Sequence, residues 1–490
     1  MKIDSWMILL GLLALPGANC LAQPRLLDQV DQLEQNGEFK NAAAALTGAL
    51  ANKSLPQAQR KKLEFELDRL ERIKRDFPFT QEELFKELKE AVKDLTRAEY
   101  DRWVKEGRFD SRVIDGERRF MVSSVSNLYF RYPELDPRRI PPKNRADFEK
   151  AVWENCVAIR QAAREHHTPY VLPKRFQVNM TVTAKPGAVP AGETIRAWLP
   201  IPRAYPFQKD FELLKSSSKP IHIENEQSAM RSVCLEAPAQ ANQPTVFRLD
   251  YNYTTYGVRF EVDPNKVTAS DKHDAALIKY LAEAPHVVFT PEIRALSKQI
   301  AGDETNPYLK ARKFYDWIAD QIKYSYAIEY STIRNISDYC RTKQYGDCGQ
   351  EALLFIALCR LNGIPARWQS GWNTVPGGKT IHDWSEIYIA PYGWMPVDPY
   401  MGIYAMRYVR SLTAEQQREI RDFYFGGLNQ YRMIANSDHN QQLIPPKRSM
   451  RSDDVDFQRG ELEWGDHNIY FDKYSWELNW KEIKPPAPVD

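Results

Sequence analysis

The spacing of apolar positions changes period twice along this chain. From residue 23 to about 130 it is helical: Leu26, Val30 and Leu33 recur on one face, as do Leu63, Leu67, Leu70 and Ile73. Thr80 and Thr96 stand where N-caps belong, ahead of helical segments from Glu82 to Val92 and from Arg97 to Val104. The proline-rich stretch from Leu135 to Lys143 reads as a linker. Its Arg138 and Arg139, with Lys143 and Arg145, read as solvated charge in preference to an anion-binding surface. A helix from Arg145 to His166 follows. The period then becomes two: Phe176, Val178, Met180 and Val182 alternate with polar residues, as do Phe247, Leu249, Tyr251 and Tyr253, which predicts an antiparallel β-domain of sandwich type. After Ser270 the helical period returns. Thr290-Pro291 and Asn306-Pro307 each place a capping residue before a proline suited to the first helical position.

The segment from Cys348 to Leu361 is apolar nearly all round and predicts a buried helix. Asp347 is its cap, Gln350 completes a capping box, and Asn362-Gly363 with Pro365 ends it. Beyond it, Asp453 to Trp464 and Asn468 to Trp480 read as short aromatic strands that complete a core or wall a cleft. Tyr431-Arg432-Met433 and Phe457-Gln458-Arg459-Gly460 are read as packing segments in preference to pocket lining.

Composition narrows the class. A chain of 490 residues calls for roughly three domains at ~100–200 residues each. A net charge of +2, with no run of Lys and Arg interleaved with aromatics, argues against a nucleic-acid partner. Met1-Lys2-Ile3, the apolar run from Met7 to Leu15, Pro16-Gly17 and Cys20-Leu21-Ala22 form a secretory signal with cleavage before Gln23. Acylation of Cys20 in a lipoprotein is the alternative, disfavoured by Asn19 and Gly17. The apolar core falls short of the ~20 residues of a membrane span. A secreted or periplasmic protein without a membrane span is therefore expected. Six cysteines become five without Cys20, and an odd number leaves at least one unpaired thiol.

Chemistry concentrates between Tyr345 and Asp398. A cysteine that opens a helix meets free N–H groups and the positive end of the dipole, which favour thiolate. The same amides suit an oxyanion formed when sulfur attacks a carbonyl. His382 opens a strand on which His382, Trp384 and Glu386 share a face. A turn at Pro391-Tyr392-Gly393 brings the chain back, so that Asp398 lies opposite His382 and orients its imidazole. Cys348 is then the nucleophile, His382 the general acid and base, and Asp398 the orienter. Asp383 and Glu386 are read as supports of the site residues or as structural. The spacing of Cys348 and His382 does not suit zinc, and no metal or cofactor is expected.

Gly346-Asp347-Cys348-Gly349, Asn362-Gly363-Ile364-Pro365-Ala366-Arg367, His382-Asp383-Trp384-Ser385-Glu386 and Gly393-Trp394-Met395-Pro396-Val397-Asp398-Pro399 together resemble the core of the transglutaminase-like superfamily, in particular its bacterial secreted members. The resemblance implies an α+β chain with a papain-like catalytic core and assigns the same three roles to Cys348, His382 and Asp398. The expected organisation is a signal peptide at 1–22, a helical domain at 23–168, a β-sandwich-like domain at 169–265, the core at 270–480 and a tail at 481–490. The expected function is thiol-dependent hydrolysis of an amide in a peptide, glycopeptide or protein, through an acyl-enzyme. Two alternatives stay open: a cross-linking transglutaminase with an amine acceptor, and a non-catalytic binding module on the same fold. The missing EF-hand loop favours hydrolysis, and three filled catalytic positions weigh against a degenerate core.

Overall fold

The computed structural model describes residues 22–376 and 380–484. The segment expected to be a signal peptide, through Leu21 and including Cys20, and the last residues of the tail lie outside the described residues. The chain divides into two compact units, one formed by residues up to 86 together with 103–122, the other by 87–102 and 123 onward. Its class is α+β.

In the first unit the helices Ala22–Gln35, Phe39–Leu50 and Gln57–Asp76 bury Val30, Phe39, Leu46, Leu63, Leu70 and Ile73, the stripe that the helical spacing marks. A hairpin of Ser111–Ile114 and Glu117–Phe120 interrupts what the sequence reading held to be wholly helical. Its cause is local. Asp115 and Gly116 both take positive φ, 49° and 86°, as a two-residue hairpin turn requires.

In the second unit two five-stranded antiparallel sheets face one another. One is built on Tyr170–Ala184 and Thr245–Arg259, the other on Thr194–Pro200 and Ser232–Pro238. Phe176, Val178, Met180, Ile195, Leu235 and Leu249 fill the space between, as strict alternation demands. The last strands pair here: Tyr474–Ile483 runs along Tyr170–Ala184, and Glu461–Trp464 along Thr194–Pro200. The sequence reading had assigned these strands to the core or a cleft wall. Short aromatic strands carry no label of the sheet they join.

A four-stranded antiparallel sheet orders Gly393–Val397, Thr380–Ile389, Ala366–Asn373 and Arg432–Asn436. The Cys348–Leu361 helix packs on it, with Leu353, Leu354, Phe355 and Ile356 in one core with Trp368, Trp384, Ile387 and Met395. Pro291–Ala301 and Pro307–Gln321 are capped by Thr290 and Asn306 as expected, and add Ile293, Phe314 and Ile318 to that core.

Candidate active site

The helix start is built by Asp347, whose Oδ1 accepts the Gln350 N–H at 3.1 Å and the Tyr330 hydroxyl at 2.6 Å. Only half of the expected capping box forms: Asp347 accepts from the Gln350 N–H, but the Gln350 side chain does not reach back to the Asp347 N–H, and its amide nitrogen is buried without a partner. Cys348 is the first helical residue. Its Sγ donates to Asp383 Oδ2 at 3.5 Å, and Asp383 Oδ1 accepts from Gln458 Nε2 at 2.6 Å. Gly349 makes this approach possible: a Cβ there would stand 2.1 Å from the Tyr330 hydroxyl and 2.8 Å from Asp383 Oδ2.

His382 and Asp398 come together. The imidazole Nε2 lies 2.8 Å from Asp398 Oδ2, with both side chains buried. The strand register sets Ser385 against Val397, which puts Asp398 level with Trp384 and not with His382. Asp398 reaches the ring because it stands just past its strand, as the cap of the Pro399–Arg407 helix, with Oδ1 accepting the Met401 N–H at 3.1 Å. Arg432 Nη2 donates to Asp398 Oδ2 at 2.8 Å from a fully buried position. That strand sits close because residue 371 is glycine: a Cβ there would meet the Met433 carbonyl at 1.8 Å. Trp384 stacks on the imidazole at 5.6 Å and Tyr400 meets it edge-on at 5.3 Å.

Among the described residues no hydrogen bond joins Cys348 to His382; the thiol meets the next residue, Asp383. The cavity over Cys348, about 160 Å³, is lined by Asp383, Asp347, Tyr330, Gln458 and Arg459 among others, and His382 lies outside its wall. Arg459 pairs with Glu329 at 2.9 Å and Asp453 at 3.1 Å.

The electrostatics favour neutral groups at rest. Burial pushes the Cys348 thiol well up, and the carboxylates of Asp383 and Asp347 add to it. The thiolate expected from the helix start is thus outweighed. Burial also lowers His382, against the pull of Asp398 and with the help of Arg432. Asp398 is held below the ordinary carboxylate range: burial opposes this, but the His382 and Arg432 charges win. Burial raises Asp347 to about 6. Glu351, one turn behind Cys348, has two buried oxygens without partners, and burial pushes it far up, so it stands as a neutral acid.

Four residues here were missed or set aside by sequence reasoning. The sequence alone reads Asp383 as structural or as a support of the site, and reads the segments of Arg432 and Gln458 as packing in preference to lining a pocket. Tyr330 went unread, although the cluster Tyr324, Tyr326 and Tyr330 just ahead of the cysteine was a signal. Glu386 pairs with Arg367 at 2.7 Å and is structural as expected. Among the described residues no group of three or more His, Cys, Asp or Glu side chains is arranged to hold a metal ion.

Residues 294–399 match the family model described as Transglutaminase-like superfamily, a span that includes Cys348, His382 and Asp398. The chain carries a transglutaminase-like core. Parts of the chain are also similar to an uncharacterized protein of Haemophilus influenzae, at 26% identity over 24% of this chain and 39% of that one. A second relative is YebA of Bacillus subtilis, an uncharacterized protein, at 28% identity over 22% of this chain and 17% of that one. The matches thus span well under two thirds of these relatives. Among solved structures, the fold holding the transglutaminase-like core is similar to a candidate cysteine protease of Cytophaga hutchinsonii (TM-score 0.42, 16% identity, 65% of this chain and 93% of that one). The periplasmic domain of TgpA from Pseudomonas aeruginosa is another likeness (TM-score 0.27, 14% identity, 55% and 96%).

Proposed function

We propose that the protein is a thiol hydrolase that cleaves an amide bond of a peptide, glycopeptide or protein, with Cys348 as nucleophile, His382 as general base and acid, and Asp398 as its orienter. The observation that carries this reading is the buried His382–Asp398 pair, anchored by Arg432, in the same matched segment as a cysteine that opens a helix. Asp398 holds one ring nitrogen, Nε2, which leaves Nδ1 as the nitrogen available to the thiol. With thiol and imidazole both neutral, attack and proton transfer are concerted. Sγ bonds to the carbonyl carbon while its proton passes to the imidazole, and the helix-start amides receive the oxyanion. His382 then protonates the leaving amine, and water, deprotonated in turn by His382, releases the acid. The thiol must turn from Asp383 towards the imidazole for this, which makes Asp383 a resting partner of the nucleophile. The apolar N-terminal run fits a secreted or periplasmic site of action.

Incubation with a panel of peptide amides and a fluorescent primary amine separates the outcomes. Hydrolysis predicts amide cleavage without amine incorporation, lost in Cys348→Ala. Amine incorporation at a comparable rate would make the protein a cross-linker, and activity that survives Cys348→Ala would end the assignment.

A further inference from the structure

A second cavity, about 260 Å³, lies between residues 129–149 and 408–411. Four cations line it: Arg139, Lys143, Arg145 and Arg410. Only Asp136 and Glu149 oppose them, so the formal surplus is 4 − 2 = +2. Both carboxylates are already engaged. Asp136 pairs with Arg139 at 2.8 Å. Glu149 Oε2 accepts the N–H groups of Arg410 and Ser411 at 2.9 and 2.8 Å and the Ser411 hydroxyl at 2.7 Å. Among the described residues Lys143, Arg145 and Arg410 make no ion pair. Burial, then Arg139 and Arg145, lower the Lys143 pKa, the mark of like charges gathered in one place. The remaining wall is formed by Tyr129, Phe130 and Tyr408 together with Asn144, Ala146 and Ser411.

One side of this cavity packs against the wall of the one over Cys348. The Phe130 ring packs edge-on to Tyr324 at 4.7 Å and to Tyr326 at 5.4 Å, and both tyrosines line the Cys348 cavity. Arg145 and Cys348 both act electrostatically on Tyr326 and on Tyr400, the residue that meets His382 edge-on.

We propose that the cavity is a subsite for the free carboxylate end of the amide substrate, its cations holding the carboxylate and its aromatic wall the last side chain. The inference rests on the thiol-hydrolase reading. Lys143, Arg145 and Arg410, which make no ion pair among the described residues, stand beside the rings of Tyr129, Phe130 and Tyr408, an arrangement that suits an anionic group carried on an apolar body. The volume suits one amino-acid residue.

The test is titration calorimetry on the full chain carrying Cys348→Ala, with a panel of acetylated tripeptides that end in a free carboxylate and the same panel ending in a carboxamide. The acids are expected to bind at least tenfold more tightly, and Arg145→Gln with Arg410→Gln to erase the difference, while Arg410→Lys retains it. Equal binding of acids and amides overturns the proposal, as does a preference that survives both substitutions. Binding of inorganic phosphate with no acid preference among the peptides overturns it in favour of a phosphate site. Because binding is read without turnover, this result is independent of the nucleophile assignment. Loss of activity in Cys348→Ala supports the nucleophile whether or not the acids are preferred.

Discussion

At the scale of single residues, Arg432 shapes the site most. Its guanidinium shares Asp398 Oδ2 with the imidazole and lies 4.9 Å over the Trp384 ring. It stabilises the Asp398 carboxylate and opposes protonation of His382. Arg432→Met should therefore have two effects. Removing one partner of a buried ion pair costs about 3–5 kcal/mol, visible as a lower melting temperature. The acid limb of kcat/KM should also move up in pH. In the native enzyme His382 is lowered, so the neutral base is lost only as pH falls through a value below 6.5. Without Arg432 the imidazole holds its proton to higher pH. A midpoint that stays put on substitution, or a wild-type midpoint above 7, would contradict this account. Cys348, His382 and Asp398 were legible as candidates in the sequence because each stands in a distinctive local context. Arg432 and Gln458 were not, because they reach the site by long-range pairing from segments with no chemical signature of their own.

At the scale of elements, the cap of the Cys348–Leu361 helix does two opposed things. Asp347 satisfies the Gln350 N–H and accepts from Tyr330, yet burial lifts its pKa to about 6. A native carboxyl that holds its proton more tightly than the unfolded one loses stability as pH rises between about 4 and 6, and the cost is complete above that window. Asn caps a helix as well as Asp does. Asp347→Asn should then raise the melting temperature at pH 7.5 by about 1–2 °C, the shift that ~1 kcal/mol makes in a unit as large as this one at ~2 cal/mol/K of unfolding entropy per residue, and the gain should vanish at pH 4. Thermal scans at the two pH values check this; an equal gain at both would place the effect elsewhere. The helix itself was readable from Asp347, the apolar run and Asn362-Gly363, because all its signals are local. The Ser111–Phe120 hairpin was not, because only Asp115-Gly116 marks it among charged residues that look helical.

At the scale of the whole molecule, the chain returns at its end to sheets begun some 300 residues earlier: Glu482 lies opposite Phe176, and Leu462 opposite Ala197. The alternating pattern announced the strands but not their partners, since period two specifies a face and leaves the neighbour open. A chain ended after residue 460 would lose Leu462, Ile469, Tyr474 and Leu478 from the core between the sheets and leave two strand edges bare. It should aggregate on expression, or melt without a cooperative transition; a soluble product with the full-length melting temperature would show that the terminal strands are dispensable. The central proposal is chemical, that one thiol among the five buried cysteines of the described residues is driven by the His382–Asp398 pair to accept an acyl group. Rapid-quench intact-mass analysis with p-nitrophenyl acetate, followed by peptide mapping, addresses it directly. The account predicts a single transient acetyl group on Cys348, absent in Cys348→Ala and formed about 10²–10⁴-fold more slowly in His382→Gln. Acetylation spread over several cysteines, or a rate on Cys348 indifferent to His382, would contradict it.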